Sequence, residues 1–404
     1  MDSALNDTFV WFAGLLRDLL ESLGIPADYV TVLLLLVGAF VLATILLLST
    51  FILIWAERKI VARIQDRLGP NRVGPFGVLQ TVADLMKLVT KELITPIGAD
   101  IIPYNLAPLL AVMAVVGIWA VMPFAPTFIG ADINVGVLYI VSIGAIGTLG
   151  IMLAGMSSNN KYALLGAFRT VAMMISYAVP MVLALVIPVL LASSMGMSSI
   201  VEAQSNFSWF IFLAPVAAFV FFVSSIAEVG RAPFDLLEAE SEIVAGFHIE
   251  YSGLKFGMFF VAEFLHAFTI SALFATLFLG GWQGPYAEIY PVLGLVYFLI
   301  KTSLVYFVVI WIRGSFPRFR IDQINSLNWK MITPIALGAI IFAAITEKLV
   351  QETGLNQFLA HATANVILIV IILVSLRLYA STARRAQAQK DELAIPVSQA
   401  SPIE

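Results

Sequence analysis

Residues 228 to 255 read EVGRAPFDLLEAESEIVAGFHIEYSGLK, a charged stretch set between two long apolar runs. Glu228, Asp235, Glu238, Glu240, Glu242 and Glu250 have only Arg231 and Lys255 as counter-charges within it. Like charges oppose one another's ionisation and a nearby low-dielectric phase adds to the effect, so carboxyls here are expected to titrate closer to neutral pH than free ones. Groups of that kind can hold and pass protons. The same residues would equally suit a solvated acidic loop over a helix pair, and the segment by itself does not separate the two readings.

Four further ions stand in or beside apolar runs. Lys161 and Arg169 flank a short connection, while Glu263 and Lys301 fall inside hydrophobic segments. Ions are expensive within a bilayer, so these are candidate functional groups and are expected to pair inside the bundle, Lys301 with Glu263 as one possible clamp.

The elements that must position these groups are membrane helices. The chain has 404 residues, 60% of them hydrophobic and 12% charged, with a mean hydropathy of +0.97; soluble domains hold only ~45–50% apolar residues. The apolar runs have the length of a helix crossing ~30 Å of hydrocarbon and lack the alternation of a membrane barrel. An all-α polytopic protein follows, with about nine spans near 30–56, 105–125, 133–156, 171–193, 209–227, 256–280, 292–312, 331–347 and 363–380. The chain holds no cysteine, which excludes disulfides, thiolate-ligated iron–sulfur clusters and a catalytic thiol. His248, His266 and His361 are its only histidines, which argues against a haem or zinc site and for no metal in this chain.

Of the 22 Lys and Arg residues, 19 fall on one side of this layout, and the opposite side keeps Arg17 and Lys348. The positive-inside rule then places the N-terminus outside and the C-terminus in the cytoplasm. Asp2 and Asp7 stand where a signal peptide would be basic. Phe9, Phe12, Leu16, Leu19, Leu20 and Leu23 recur at helical spacing, so residues 1–29 are expected to carry an amphipathic helix in the outer interface. Residues 30–347 form the membrane core, 348–380 an added C-terminal span, and 381–404 a polar tail expected to be disordered.

The first inner connection is too long to be plain loop. It combines Gly69-Pro70, Gly74-Pro75 and Gly77 with an apolar stripe of Val78, Val82, Leu85, Met86, Val89 and Leu93 opposite Gln80, Asp84, Lys87 and Lys91. A surface helix follows, its polar face available to lipid headgroups or to a partner subunit. No internal repeat is visible, which disfavours a stand-alone ion transporter.

Three motifs carry a resemblance: ERK with RLGPNRVGPFGVLQTVAD in 57–84, RAPFDLLEAESEIVAGFHIEYSG in 231–253, and PRFRIDQ in 317–323. Together they closely resemble the H-subunit family of bacterial NADH-quinone oxidoreductases, whose mitochondrial counterpart is subunit 1 of respiratory complex I. The likeness spans about residues 30 to 345. It implies a multi-pass subunit of the bacterial inner membrane with membrane-arm and peripheral-arm subunits, quinone and lipid as partners, and no nucleic acid. It also implies quinone as a substrate that is not held covalently, and coupling of quinone reduction to proton translocation. Carried over by position, Glu228, Asp235, Glu238, Glu240, Glu242 and Glu250 would form the mouth of an acidic path, with Arg231 as embedded counter-charge. Glu263, Lys161, Arg169 and Lys301 would lie further along it, and Arg58, Arg63 and Arg72 near the quinone chamber. The equivalent subunit of an energy-converting hydrogenase or of a ferredoxin-fed complex would show the same pattern.

Two departures stand out against the family. Its fourth span usually reads Ser-Tyr-Glu, whereas this chain reads Ser176-Tyr177-Ala178 and has no acid between Lys161 and Val201. Either Ser176, Tyr177 and bound water bridge the gap toward Glu228 and Glu263, which is the favoured reading, or the acidic path runs without the fourth span, or the complex couples weakly. Gly230 and Leu237 also stand where Asn and Pro are usual, changes expected to act on the loop's backbone.

Overall fold

The computed structural model describes residues 8–22, 26–205, 208–235, 246–354 and 356–394. Eight helices among them are long and apolar enough to cross a membrane, as the composition predicts. The first, α2 (Ala27–Ile64), follows a short helix α1 (Thr8–Ser22). At 1.5 Å per residue α2 is about 57 Å long, well beyond the hydrocarbon thickness. Its last turns therefore project from the bilayer, carrying Glu57, Arg58 and Arg63.

The turn after α2 folds back through Gly77, at φ +77°, where an added Cβ would collide with the Pro70 carbonyl oxygen. Only glycine fits that approach. The surface helix α3 (Gln80–Thr90) follows as predicted, but Gln80 and Asp84 of its polar side turn toward the protein while Lys87 stays exposed. Arg58 Nη1 lies 2.5 Å from Asp84 Oδ2, whereas Val82, Met86 and Val89 are exposed. Burial pushes the Asp84 carboxyl up, but its bond to Arg58 and the charges of Arg58 and Lys87 outweigh this and hold it below the usual range.

Next come α4 (Ile101–Ile118), a small antiparallel pair β1 (Pro123–Ala125) and β2 (Phe128–Ile129), and α5 (Gly136–Ser157). After them α6 (Lys161–Ala192) and α7 (Met197–Glu202) follow. The predicted fifth span is interrupted. Ala214, at φ −139° and ψ 60°, separates α8 (Phe210–Leu213) from α9 (Pro215–Val229), because Pro215 cannot continue a helix from the preceding turn. The 15 residues of α9 cover only about 22 Å. Most of its side chains are buried, so protein rather than lipid surrounds it.

The central pillar is α10 (Gly253–Phe278), with 72% of its apolar window buried against 11% for α2. The helix α11 (Pro291–Ser315) packs beside it. The eighth span is longer than predicted. It runs from α12 (Ile321–Leu327) through a π-helical turn at Asn328–Ile332 into α13 (Thr333–Thr353). Buried Asn328 holds that turn, its Nδ2 donating to Ser176 O at 2.6 Å while its Oδ1 accepts from Thr333 Oγ1 at 3.3 Å. The last helix, α14 (Gln357–Ala394), continues 16 residues past Leu378, where disorder was expected. That stretch contains no Gly or Pro to stop it. Asn365 Nδ2 of α14 donates to the Leu213 carbonyl at 2.6 Å, satisfying a group at the break between α8 and α9.

Candidate functional site

A buried ionic cluster stands where α2, α9, α10 and α11 meet. The helix α9 ends at Gly230, left-handed at φ +74°, which turns Arg231 back into the bundle. Asn tolerates the same backbone, so the departure from the family at this position leaves the turn intact. Arg231 Nη1 donates to Glu57 Oε1 at 2.8 Å, its Nε lies 3.2 Å from Glu263 Oε1, and its guanidinium covers the Phe264 ring at 4.3 Å. Arg313 of α11 also pairs with Glu57, and the Tyr306 hydroxyl donates to Glu57 Oε2 at 3.3 Å. Two carboxylates and two guanidiniums balance here, as burial demands.

Three cavities adjoin this cluster in sequence. A rim cavity of about 620 Å³ opens at the projecting end of α2, lined by Glu57, Arg58, Arg67, Asp235, Phe260 and Arg313 among others. A small one of about 80 Å³ holds Glu228, His248, Glu263 and His266. A third, of about 430 Å³, lies beside Ala178 and is also lined by Glu228 and His266. Glu57 faces the first and Glu263 the second, and Arg231 joins them. Glu228 Oε2 is buried without a hydrogen-bond partner. His248 lies in the turn before α10, and burial lowers its pKa to about 4. The imidazole is therefore neutral at physiological pH.

The predicted site residues divide among three settings. Arg231, Glu228, Glu263 and Asp235 converge on this region, Asp235 pairing with Arg318 Nη2 at 2.8 Å. Glu250 stands aside, its Oε1 accepting from Asn160 Nδ2 at 2.6 Å. That bond anchors the start of α6, because Asn160 Oδ1 also accepts from the Tyr162 N–H. Beside it Tyr104 and Tyr251 stack at 4.2 Å, and burial pushes the Tyr251 hydroxyl up to about 12. Arg169 follows Gly166 by one turn, where α6 packs so closely on Gly246 that an added Cβ would meet it at 2.7 Å. Glu238, Glu240, Glu242 and Leu237 lie outside the described residues.

Four expectations need correction. Lys301 does not pair with Glu263. Its Nζ donates to the carbonyls of Leu279, Gly281 and Gln283 at 2.7, 3.0 and 2.7 Å, about 24 Å along α10 from Glu263, since 16 residues of helix intervene. Lys161 is exposed and lies 5.3 Å from the Tyr162 ring. Of the three arginines assigned to the chamber only Arg58 lines the rim cavity; Arg63 and Arg72 are exposed outside it. The Ser176–Tyr177 bridge also fails as drawn. Tyr177 donates to Ile324 O at 2.9 Å and Ser176 to Ala172 O at 2.7 Å, and neither lines the cavity beside Ala178.

The sequence reading missed Glu57, Arg313, Tyr306 and His266. Glu57 is an acid at the inner end of a long apolar run, and the cations that follow it obey the positive-inside rule, so nothing local sets it apart.

A bundle of membrane helices with a buried ion cluster between a rim cavity and two apolar-walled cavities defines the chain as an integral membrane protein of the polytopic class. A family model described as NADH dehydrogenase matches residues 37–344. The chain is 46% identical over 310 residues to the NADH-quinone oxidoreductase H subunit of Dehalococcoides mccartyi (strain CBDB1), covering 77% of this chain and 86% of that protein. It is 48% identical over 312 residues to an H subunit of the same enzyme in Geobacter sulfurreducens, covering 75% and 93%, and 46% identical over 311 residues to the H subunit of Geobacillus kaustophilus, covering 77% and 92%. The chain belongs to the NADH dehydrogenase family and is a membrane subunit of NADH-quinone oxidoreductase, complex I. Other subunits of that complex are its partners.

Proposed function

We propose that this subunit forms the quinone chamber together with the peripheral arm and couples quinone reduction to proton translocation. The carrying observation is the continuous order of rim cavity, Glu57, Arg231, Glu263 and the Glu228 cavity. A volume of about 620 Å³ suits a quinone headgroup, within the ~300–1,000 Å³ typical of ligand sites. Apolar Phe260 and Phe264 line it together with Arg58 and Asp235.

Reduction of a quinone to quinol takes up two electrons and two protons. The transient change of charge in the chamber acts on Glu57 and Asp235 at its wall, because each carboxyl's proton affinity depends on its neighbours' charges. Arg231 stays protonated throughout. It therefore transmits the change as charge: when Glu57 takes a proton, Arg231 is released to Glu263, and Glu263 in turn biases Glu228. Glu238, Glu240, Glu242 and Glu250 are assigned to the mouth of this path on the family resemblance, and Arg63 and Arg72 to the surface beside the chamber. Lys161, Arg169 and Lys301 are assigned to its flanks, Lys301 by tying the end of α10 and the loop after it to α11. Lipid covers the exposed apolar faces. The basic connections face the cytoplasm across the bacterial inner membrane, with the N-terminus outside. The reading needs no metal held by this chain and no nucleic acid.

A photoreactive quinone analogue applied to the purified complex tests the chamber. Cross-links are expected in peptides holding residues 57–70 and 260–264. Labelling confined to α13 and α14 would contradict the assignment.

A further inference from the structure

The cavity of about 430 Å³ beside Ala178 lies between α5, α6 and α10, and its wall is almost wholly apolar, with Met174, Met181 and Leu273 typical of it. Apart from the Thr148 hydroxyl, its polar lining consists of Glu228 of α9 and His266 of α10. The same two side chains enter the adjoining small cavity, which they share with Glu263 and His248. His266 follows Glu263 by one turn on the same face of α10. It thus stands between the ionic cluster and the space that a carboxylate at position 178 would otherwise occupy.

We propose that His266 carries the proton across the stretch where α6 offers Ala178, taking it from Glu228 through water at the polar end of the cavity that both line. The inference rests on the acidic path proposed above and adds a residue to it. Apolar cavities of this kind stay dry unless polar groups hold water, so water gathers where Glu228 and His266 meet the space. The Glu228 carboxyl gives its proton to that water, and the unprotonated ring nitrogen of His266 takes one, leaving a carboxylate and an imidazolium. The imidazolium then gives a proton from its other nitrogen to a water held at the Thr148 hydroxyl in the same cavity, leaving hydronium there and a neutral ring. Imidazole suits this step because its two nitrogens can accept and donate at opposite edges of one ring. Glu228, His248 and Glu263 are the titratable groups that share these cavities with it, and α4, α5 and α6 contribute none to their walls.

The test is the reconstituted complex carrying His266→Asn or His266→Gln, measured for coupled quinone reduction and for protons moved per quinone, with Glu228→Gln alongside. Each His266 variant is expected to slow coupled turnover at least about a hundredfold, the low end of what one acid–base group supplies, and Ala178→Glu in the same chain is expected to restore it. Purely structural damage at His266 would not be repaired by an acid on another helix. Wild-type turnover and stoichiometry in both His266 variants overturn the proposal; if Glu228→Gln is impaired in the same experiment, the acidic path stands without His266. Unchanged coupling in all three variants sinks the path itself. A map of the wild-type assembly that resolves water needs no variant: ordered water between Glu228 and His266 is expected, and a dry gap overturns the proposal.

Discussion

Arg231 and Glu57 are joined by a 2.8 Å hydrogen bond across 174 residues of chain, and both side chains are buried. This bond ties the projecting end of α2 to the turn after α9, and so ties the wall of the rim cavity to the interior of the bundle. Removing one partner of such a pair leaves an uncompensated charge in a low-dielectric site.

Arg231→Met is therefore expected to destabilise the subunit by about 3–5 kcal/mol, because Glu263 loses its counter-charge and Glu57 keeps only Arg313. The thermal midpoint of the complex in detergent measures it. Adding Glu263→Gln, which removes the carboxylate left unpaired, is expected to recover much of the loss, and failure of that recovery would show that packing against Phe264 dominates instead.

Lys301→Met is expected to separate stability from coupling. Three carbonyls at the ends of α10 and its following loop lose a charged donor, at about 1.5–3 kcal/mol for a hydrogen bond to a charged group. The number of protons moved per quinone in the assembled complex should stay the same. A lower ratio would place Lys301 on the proton path itself.

The half-buried His248 sets a pH dependence. Its pKa falls from 6.5 to about 4 on folding, so the unfolded chain binds the proton first as the medium is acidified. The stability gained by keeping the ring neutral is complete above about pH 6.5 and is lost as pH falls toward 4. His248→Asn should flatten the decline of the thermal midpoint across that window. An unchanged slope would show that other groups cause the decline.

Topology follows from the basic bias of the connections. An alkaline phosphatase fusion after Lys390 is expected to be inactive, since the proposed orientation puts that point on the cytoplasmic side. An active fusion would remove the last crossing or reverse the orientation.

Much of the fold was legible because hydrophobic run length and Lys/Arg bias are local properties of the chain. The break at Ala214 was less visible, since Pro215 reads as an ordinary residue within one apolar run until the buried setting of α9 is known. Eight of the nine expected crossings meet the length of a span, and α9 is short because neighbouring helices enclose it. The site divided in the same way. Glu228, Arg231 and Glu263 stood out as ions near apolar sequence, whereas the partner of each was set by helix packing that brings residue 57 to residue 231 and carries residue 301 to the far end of α10. His266 carried no signal of its own, because a single histidine in an apolar helix acquires meaning only from the cavity it enters.

The central claim is that charge passes from the quinone chamber to Glu228. The most direct measurement is Glu228→Gln in the fully assembled, reconstituted complex, with donor oxidation by an artificial acceptor, quinone reduction and proton movement followed together. Oxidation by the artificial acceptor should be unchanged, because it needs none of these carboxyls, while quinone-linked turnover and proton movement should both fall at least about a hundredfold. Quinone reduction and proton movement at wild-type levels in that variant would contradict the account.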